Sequence, residues 1–371
     1  MLLFDVTPRS AAFCLVDGSR RIEGELGPLD DAFASLEHLL GRLRNAGPVG
    51  YVLHHGGTTV KEPVSQVDPD TLLAIQRCSR FLPEGNDALY RWVNWGLLAL
   101  PAAIHLLFCD TAFFLDLPEH VRTYALPLSL AEPSLRRYGG FGLCHQWVWN
   151  SLRSLAAVPP SRVISVYLGE VPNVATIRDG KPVETSIGFT PLEGLSSARS
   201  SGDVDPTIIF QLHASGFGFG EIARMLTEQS GFSAVLGRDC TLAEIAHSRN
   251  DDPELAKAKD FHLYQVSKYI GAFVSVLGGV DAIAFVAEDL ATYGDLIRSF
   301  SRELRYLPIR PAPDPQASES VLRLTRDDSP VQLYGLHYDK WGALRERGLA
   351  YLRTLGFVGP EGPGSSKGNE Q

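Results

Sequence analysis

One order of local signals occurs twice along this chain, and few architectures satisfy it. Leu2 to Thr7 and Ala12 to Val16 are apolar runs of strand length, and Asp17-Gly18 marks a hairpin before Arg21 to Leu26. A helix is expected over residues 29–44, with Phe33, Leu36, Leu39, Leu40 and Leu43 at helical spacing, followed by a strand from Val49 to Leu53 and a helix from Asp68 to Cys78. Around Arg136 the pattern restarts. Val163 to Leu168 reads as a buried strand, and Asn173 to Arg178, Asp179-Gly180 and Pro182 to Thr185 form a second hairpin. Helices are expected near 206–215, 219–228, 241–247 and 252–277, then a strand from Asp281 to Ala287 with a helix after it. Strand, hairpin, helix, strand, helix is thus repeated without a close sequence repeat, which predicts two similar α/β domains.

The 371 residues suffice for two domains. A net charge of −9 argues against a nucleic-acid partner, which needs a basic face. Cys14, Cys78, Cys109, Cys144 and Cys240 are scattered, with no CxxC pair and no zinc spacing, so reduced, buried thiols are expected. The amino terminus opens on a strand-like run with no basic leader, which points to a bacterial-type cytoplasm. Residues 93–115 are largely apolar but are interrupted by Pro101, His105 and Asp110. They read as a buried helix from about Asn94, a turn near Pro101 and a buried parallel strand ending at Asp110, with no membrane span. Residues 308–318 read as a Pro- and Ala-rich loop, Trp341 to Leu355 as a last helix, and the tail from Gly359 as disordered. Gly216, Gly218 and Gly220 form a GxGxG with no strand leading into it, which favours a helix-connecting loop over a dinucleotide site. Trp92, Trp95, Trp147 and Trp149 read as core or interface residues.

Six segments, in order, resemble the acetate and propionate kinase family. They are HHGG with Glu62-Pro63-Val64, LFCDTAFFLDLP at 107–118, RRYGGFGLCHQ at 136–146, TSIGFTPLEGLSSARSSGDVDP at 185–206, the helix from Asp252, and the strand from Asp281. The resemblance reaches to about residue 355. It implies the fold of the sugar kinase, heat-shock ATPase and actin superfamily: two similar α/β domains of ribonuclease H type with a cleft between them. The expected division is 1–134 and 135–336, with the helix in 337–356 returning to the first domain and a disordered tail at 357–371. It also implies a homodimer, a small carboxylic acid or acyl phosphate as ligand, and Mg²⁺ and ATP as cofactors.

A shared fold does not carry a shared reaction. Moving a γ-phosphoryl group onto a carboxylate needs cations on the equatorial oxygens, Mg²⁺, and backbone amides cradling the phosphates. By resemblance, Asp110 stands at the family's catalytic aspartate and Asp5 at a position near the metal. Asp339 keeps one carboxylate of an acidic pair otherwise read at Tyr338, so Asp5 and Asp339 are the candidate metal ligands. The substrate turn falls on His54, His55, Gly56 and Gly57, with Arg91 and Pro191 as further candidates. His54 is either a new polar contact or a satisfied buried histidine, and His145 is expected to be structural. The family's positive groups fall on Val52, Val93, Phe141 and Ser200, with Arg199 one place away as a substitute. The phosphate and nucleotide turns fall on Thr7-Pro8-Arg9-Ser10, on Gly169-Glu170, on the segment around Thr241, and on Glu288-Asp289. These turns carry a proline or acids where backbone amides are needed. Two functions follow as expectations: a catalytically degenerate protein kept for binding or scaffolding, with an unidentified protein as partner, or an acyl kinase or acyl-phosphate-using transferase with a rebuilt site.

Overall fold

The computed structural model describes residues 1–7, 10–17, 20–27, 47–80, 82–127, 135–156, 158–248 and 252–357. The helix expected over 29–44 and the tail from Gly359 lie outside the described residues.

The apolar runs at the start become β1 (Leu2–Val6), β2 (Ala11–Asp17) and β3 (Arg20–Leu26). Together with β4 (Val49–Leu53), β5 (Val64–Gln66) and β6 (His105–Cys109) they form a six-stranded sheet in the order β3-β2-β1-β4-β6-β5. Its centre, β1-β4-β6, is parallel, and all fifteen residues of those three strands are buried. That is why they read as unbroken apolar runs rather than as alternation.

A second sheet repeats the plan. It uses β7 (Arg162–Tyr167), β8 (Asn173–Arg178), β9 (Lys181–Thr185), β10 (Ala282–Ala287), β11 (Pro311–Ala317), β12 (Val321–Thr325) and β13 (Gln332–His337). Their order is β11-β12-β13-β10-β7-β8-β9. The run β9-β8-β7-β10-β13 has the same strand directions as β3-β2-β1-β4-β6. The duplicated order in the sequence is therefore a duplicated sheet. In the second hairpin Asp179 and Gly180 both have positive φ (51° and 84°), the backbone a two-residue primed turn demands.

Helices cover both faces. On the first sheet, α1 (Pro69–Cys78) and α2 (Pro83–Ala99) bury Ile75, Trp92 and Val93 against Phe4 and Tyr51. The last helix, α11 (Lys340–Thr354), buries Trp341, Leu344 and Leu352 on the opposite face against Leu3 and Phe108. On the second sheet, α4 (Gly142–Leu155) covers one face. The other is covered by α8 (Leu242–Ala246), α9 (Pro253–Leu277) and α10 (Leu290–Glu303). Three short helices, α5 (Pro206–Ala214), α6 (Phe219–Glu228) and α7 (Gly231–Leu236), precede them, and the four-residue α3 (Glu119–Arg122) lies between the sheets in sequence.

Two expectations need correction. The helix placed from Asn94 begins at Pro83, in the first-turn position that proline tolerates, and runs 17 residues. Residues 311–317 are a strand rather than a loop; among the described residues β11 pairs on one side only, with β12, so its prolines sit at an edge where missing donors cost little. Helix α7, built from Gly-Phe-Ser-Ala-Val-Leu, was not anticipated. Among the described residues, no helix is long and apolar enough to cross a membrane. The GxGxG is the connection and first turn between α5 and α6, with Gly218 as N-cap. All five cysteines are free and buried.

Candidate active site

The carboxyl ends of the parallel strands of both sheets converge. Asp5 lies near the end of β1, His54 directly follows β4, and Asp110 directly follows β6. Because β4 runs between β1 and β6, the residue leaving it stands between the two acids. His54 Nε2 donates to Asp5 Oδ1 (2.8 Å) and Nδ1 donates to Asp110 Oδ2 (3.1 Å). Both ring nitrogens face carboxylate oxygens, so both act as N–H donors and the ring is an imidazolium. Burial opposes the charge, but Asp5 and Asp110 outweigh it and raise His54 to about 10. From the second side, the Lys340 ammonium at the start of α11 pairs with Asp5 Oδ2. Burial alone would raise the Asp5 carboxyl; His54 and Lys340 reverse this and hold it far below the ordinary carboxylate range. Asp110 also accepts a long bond from the Leu143 amide (3.4 Å), and the start of α4 presses on its backbone carbonyl at Gly142, where a side chain would not fit.

Next to this cluster the substrate turn is held rigidly. His55 is buried; its Nδ1 accepts from the Gly57 amide (3.3 Å) and its Nε2 donates to the Phe189 carbonyl (3.1 Å). That fixes the neutral tautomer, and burial lowers the ring to about 4. Gly56 donates to Thr111 Oγ1 (2.9 Å), Gly57 takes φ 57°, and the buried Asn86 amide donates to the His55 carbonyl (2.9 Å). His55 thus ties the first sheet to the loop that carries Pro191, which is itself partly buried. That loop is braced by Asp203, which accepts from the Gly194 amide (2.8 Å) and from the Tyr269 hydroxyl (2.5 Å).

The turns that would face phosphates are filled by the chain's own groups. Phe141, with φ 56°, stacks on Tyr167 (centroids 4.8 Å apart), and the Tyr167 ring lies hard against Gly169. The Tyr167 hydroxyl donates to Glu288 (3.3 Å), and Glu170 is exposed. The first amides of α10, Ala291 and Thr292, both donate to the Asp289 carboxylate (3.1 and 3.3 Å). Thr241 caps α8 through the Glu244 amide (3.2 Å). On the β1–β2 turn, the Thr7 amide donates to the Ser10 carbonyl (2.8 Å) and the Ser10 amide to Thr7 Oγ1 (3.1 Å).

The structure brings together Asp5, His54 and Asp110, and beside them His55, Gly56 and Gly57. It does not bring Arg199 to Asp110: that side chain turns to Asp239 (3.2 Å) on an exposed rim. Arg91 stands on the exposed side of α2. Asp339 does not join Asp5 as a ligand pair; it caps α11 through the Gly342 amide (3.1 Å) and pairs with Arg21 (2.8 Å). His145 is structural, held by Ser165 Oγ (2.8 Å) and Asn173 Oδ1 (2.6 Å). Val52 and Val93, at positions where the resemblance places cations, are buried core. Sequence reasoning missed Lys340. A lysine in the first turn of a helix opposes the helix dipole, and that unfavourable placement was the available signal that it has an acidic partner.

Two packed α/β units with a charged cluster where their strand ends meet define a kinase-type fold of the sugar kinase, heat-shock ATPase and actin class. A family model described as "Acetokinase family" matches residues 31–301, and the chain belongs to that family. An acetate kinase of Coprothermobacter proteolyticus is 35% identical over 251 residues, 66% of this chain and 62% of the relative. One of Arthrobacter is 34% identical over 277 residues, 73% and 71% respectively. The match to the first of these thus spans under two thirds of that relative's length. In structure, the Porphyromonas gingivalis acetate kinase superposes with a TM-score of 0.80 at 23% identity, covering 95% of this chain and 99% of the other. The Entamoeba histolytica acetate kinase gives 0.82 at 21%, covering 94% and 98%.

The residues present do not fit the Mg²⁺ and ATP that family membership implies. A divalent ion needs free carboxylate oxygens, and Asp5 and Asp110 are bridged by an imidazolium, with Lys340 on the remaining oxygen of Asp5. A triphosphate needs open amides and cations. Here the Asp289 carboxylate takes the α10 amides and an aromatic stack lies against Gly169. Among the described residues, no group of three His, Cys, Asp or Glu side chains is arranged to hold a metal.

Proposed function

We propose that this acetokinase-family chain does not transfer phosphoryl groups by the family's route and acts instead as a binding or scaffolding protein. The observation that carries this is the Asp5–His54–Asp110 bridge with Lys340: the cluster is neutralised from within, its carboxylates already paired with the chain's own cations. Filling of the phosphate turns by Phe141, Tyr167 and Asp289 supports the same reading. We further propose that the chain divides at 134/135, with 337–356 joined to the first domain, and that it acts as a cytoplasmic homodimer. The support for a dimer is α5, which buries none of its own residues, and the neighbouring exposed side chains Phe210 (66% exposed) and Phe219 (64%).

A second reading has its own observation. The turn His55-Gly56-Gly57 and the loop at Phe189 to Pro191 are rigidly joined beside Asp110, a place where a small carboxylic acid or acyl phosphate could sit. An acyl-hydroxamate assay over short carboxylic acids with Mg-ATP, and acetyl phosphate with ADP in reverse, decides between them. The degenerate reading expects turnover at the level of a heat-treated control. Turnover abolished by Asp110→Asn selects the second reading.

A further inference from the structure

A buried carboxylate pair at the ends of two parallel strands that flank a third must be neutralised, since two buried like charges cannot both stay ionised without cations beside them. Asp5 and Asp110 are 8% and 6% exposed. Their counter-charges come from the chain. His54 leaves β4 between them and donates one ring N–H to each; Lys340 comes from the other end of the chain and completes Asp5. Two unit positive charges thus face two unit negative charges, the same charge a divalent ion would bring. We propose that His54 and Lys340 take the place of a divalent cation between Asp5 and Asp110, making this a metal-independent site held together by its own side chains.

Three independent features support the replacement. The imidazole ring stands between an oxygen of each carboxylate, where an ion bridging the two would need them as ligands. Lys340 stands in the first turn of α11, where a positive charge is unfavourable unless an acid outside the helix compensates it, and Asp5 does so. Asp339, which could have supplied another oxygen ligand, is directed to Arg21 and to the cap of α11.

The proposal concerns the cleft already read as degenerate and rests on that reading's description of Asp5 and Asp110, but it is tested without nucleotide, so the two can fail separately. Free Mn²⁺ is followed by electron paramagnetic resonance in the full chain. The wild type is expected to leave millimolar Mn²⁺ free. A His54→Ala/Lys340→Met double variant, with its fold checked by circular dichroism, is expected to bind Mn²⁺ roughly tenfold or more tightly than the wild type. Adding Asp5→Asn is expected to remove that gain. If the double variant does not fold, the conservative His54→Gln and Lys340→Met single variants are read the same way. Stoichiometric Mn²⁺ binding by the wild type that Asp5→Asn weakens overturns the proposal. So does a folded variant, double or single, that binds no better than wild type. Neither result bears on the hydroxamate assay, which judges the reading of function.

Discussion

His54 carries a charge that its surroundings impose, and Lys340 shares the task of holding Asp5. Replacing Lys340 with methionine keeps the aliphatic stem but leaves a largely buried carboxylate short of a partner, and should cost about 1–3 kcal/mol in urea unfolding. Lys340→Arg should recover most of that. His262 presents the opposite case: it is fully buried between Phe232 and Phe300, and neither ring nitrogen has a hydrogen-bond partner among the described residues. An unsatisfied buried polar group is destabilising, so His262→Leu or His262→Met should raise stability by about 1 kcal/mol, read as an increase in the urea midpoint. At this scale the sequence was a partial guide. His54 and Asp110 could be picked out by position, whereas the pairing of Lys340 with Asp5 joins residues 335 apart and no local pattern announces it.

Capping shows how an element can close a site. Asp289 binds the first amides of α10, so the helix end that would attract an anion already holds a carboxylate. Asp289→Ala should cost about 1 kcal/mol by chemical denaturation without restoring nucleotide binding, because the Phe141–Tyr167 stack remains. In the β8–β9 hairpin, Gly180 has φ 84° and packs near Trp149, so Gly180→Ala should lower stability by about 1 kcal/mol. Elements whose patterns are local were legible in advance: the hairpin at Asp179-Gly180, the buried strands, and the long helix after Asp252 all stand where expected. Strand β11 was not, because its prolines read as a loop and only its edge position, a tertiary fact, permits a strand. The start of α2 was missed because Pro83 marks a helix beginning that the apolar run downstream obscured.

Over the whole molecule, the buried histidines set the pH dependence. Burial holds His55 and His145 near 4 and His262 near 3. Each is neutral when folded and gains a proton on unfolding below pH 6.5, so stability is full above that value and falls as the pH drops from 6.5 toward 4. Each group should contribute a loss of about 2 kcal/mol at pH 5. His54 has the opposite sign. Its folded-state pKa is raised to about 10, so its contribution is present below pH 6.5 and is lost as the pH rises toward 10. Unfolding free energies measured across this range should therefore decline on both sides of neutrality, and His54→Gln should flatten only the alkaline side. Light scattering tests the proposed dimer: Phe210→Glu should shift the mass toward one chain. The duplicated sheets were visible in the order of the elements, since strand and helix periodicities survive where side-chain chemistry has changed. The state of the cleft was not, because it depends on which groups converge from β1, β4, β6 and α11.

Calorimetric titration of the full chain with Mg-ATP and Mg-ADP tests the neutralised cleft most directly. The expected result is no saturable heat up to millimolar nucleotide. Binding of one nucleotide per chain at micromolar concentration, lost on Asp110→Asn, would contradict it.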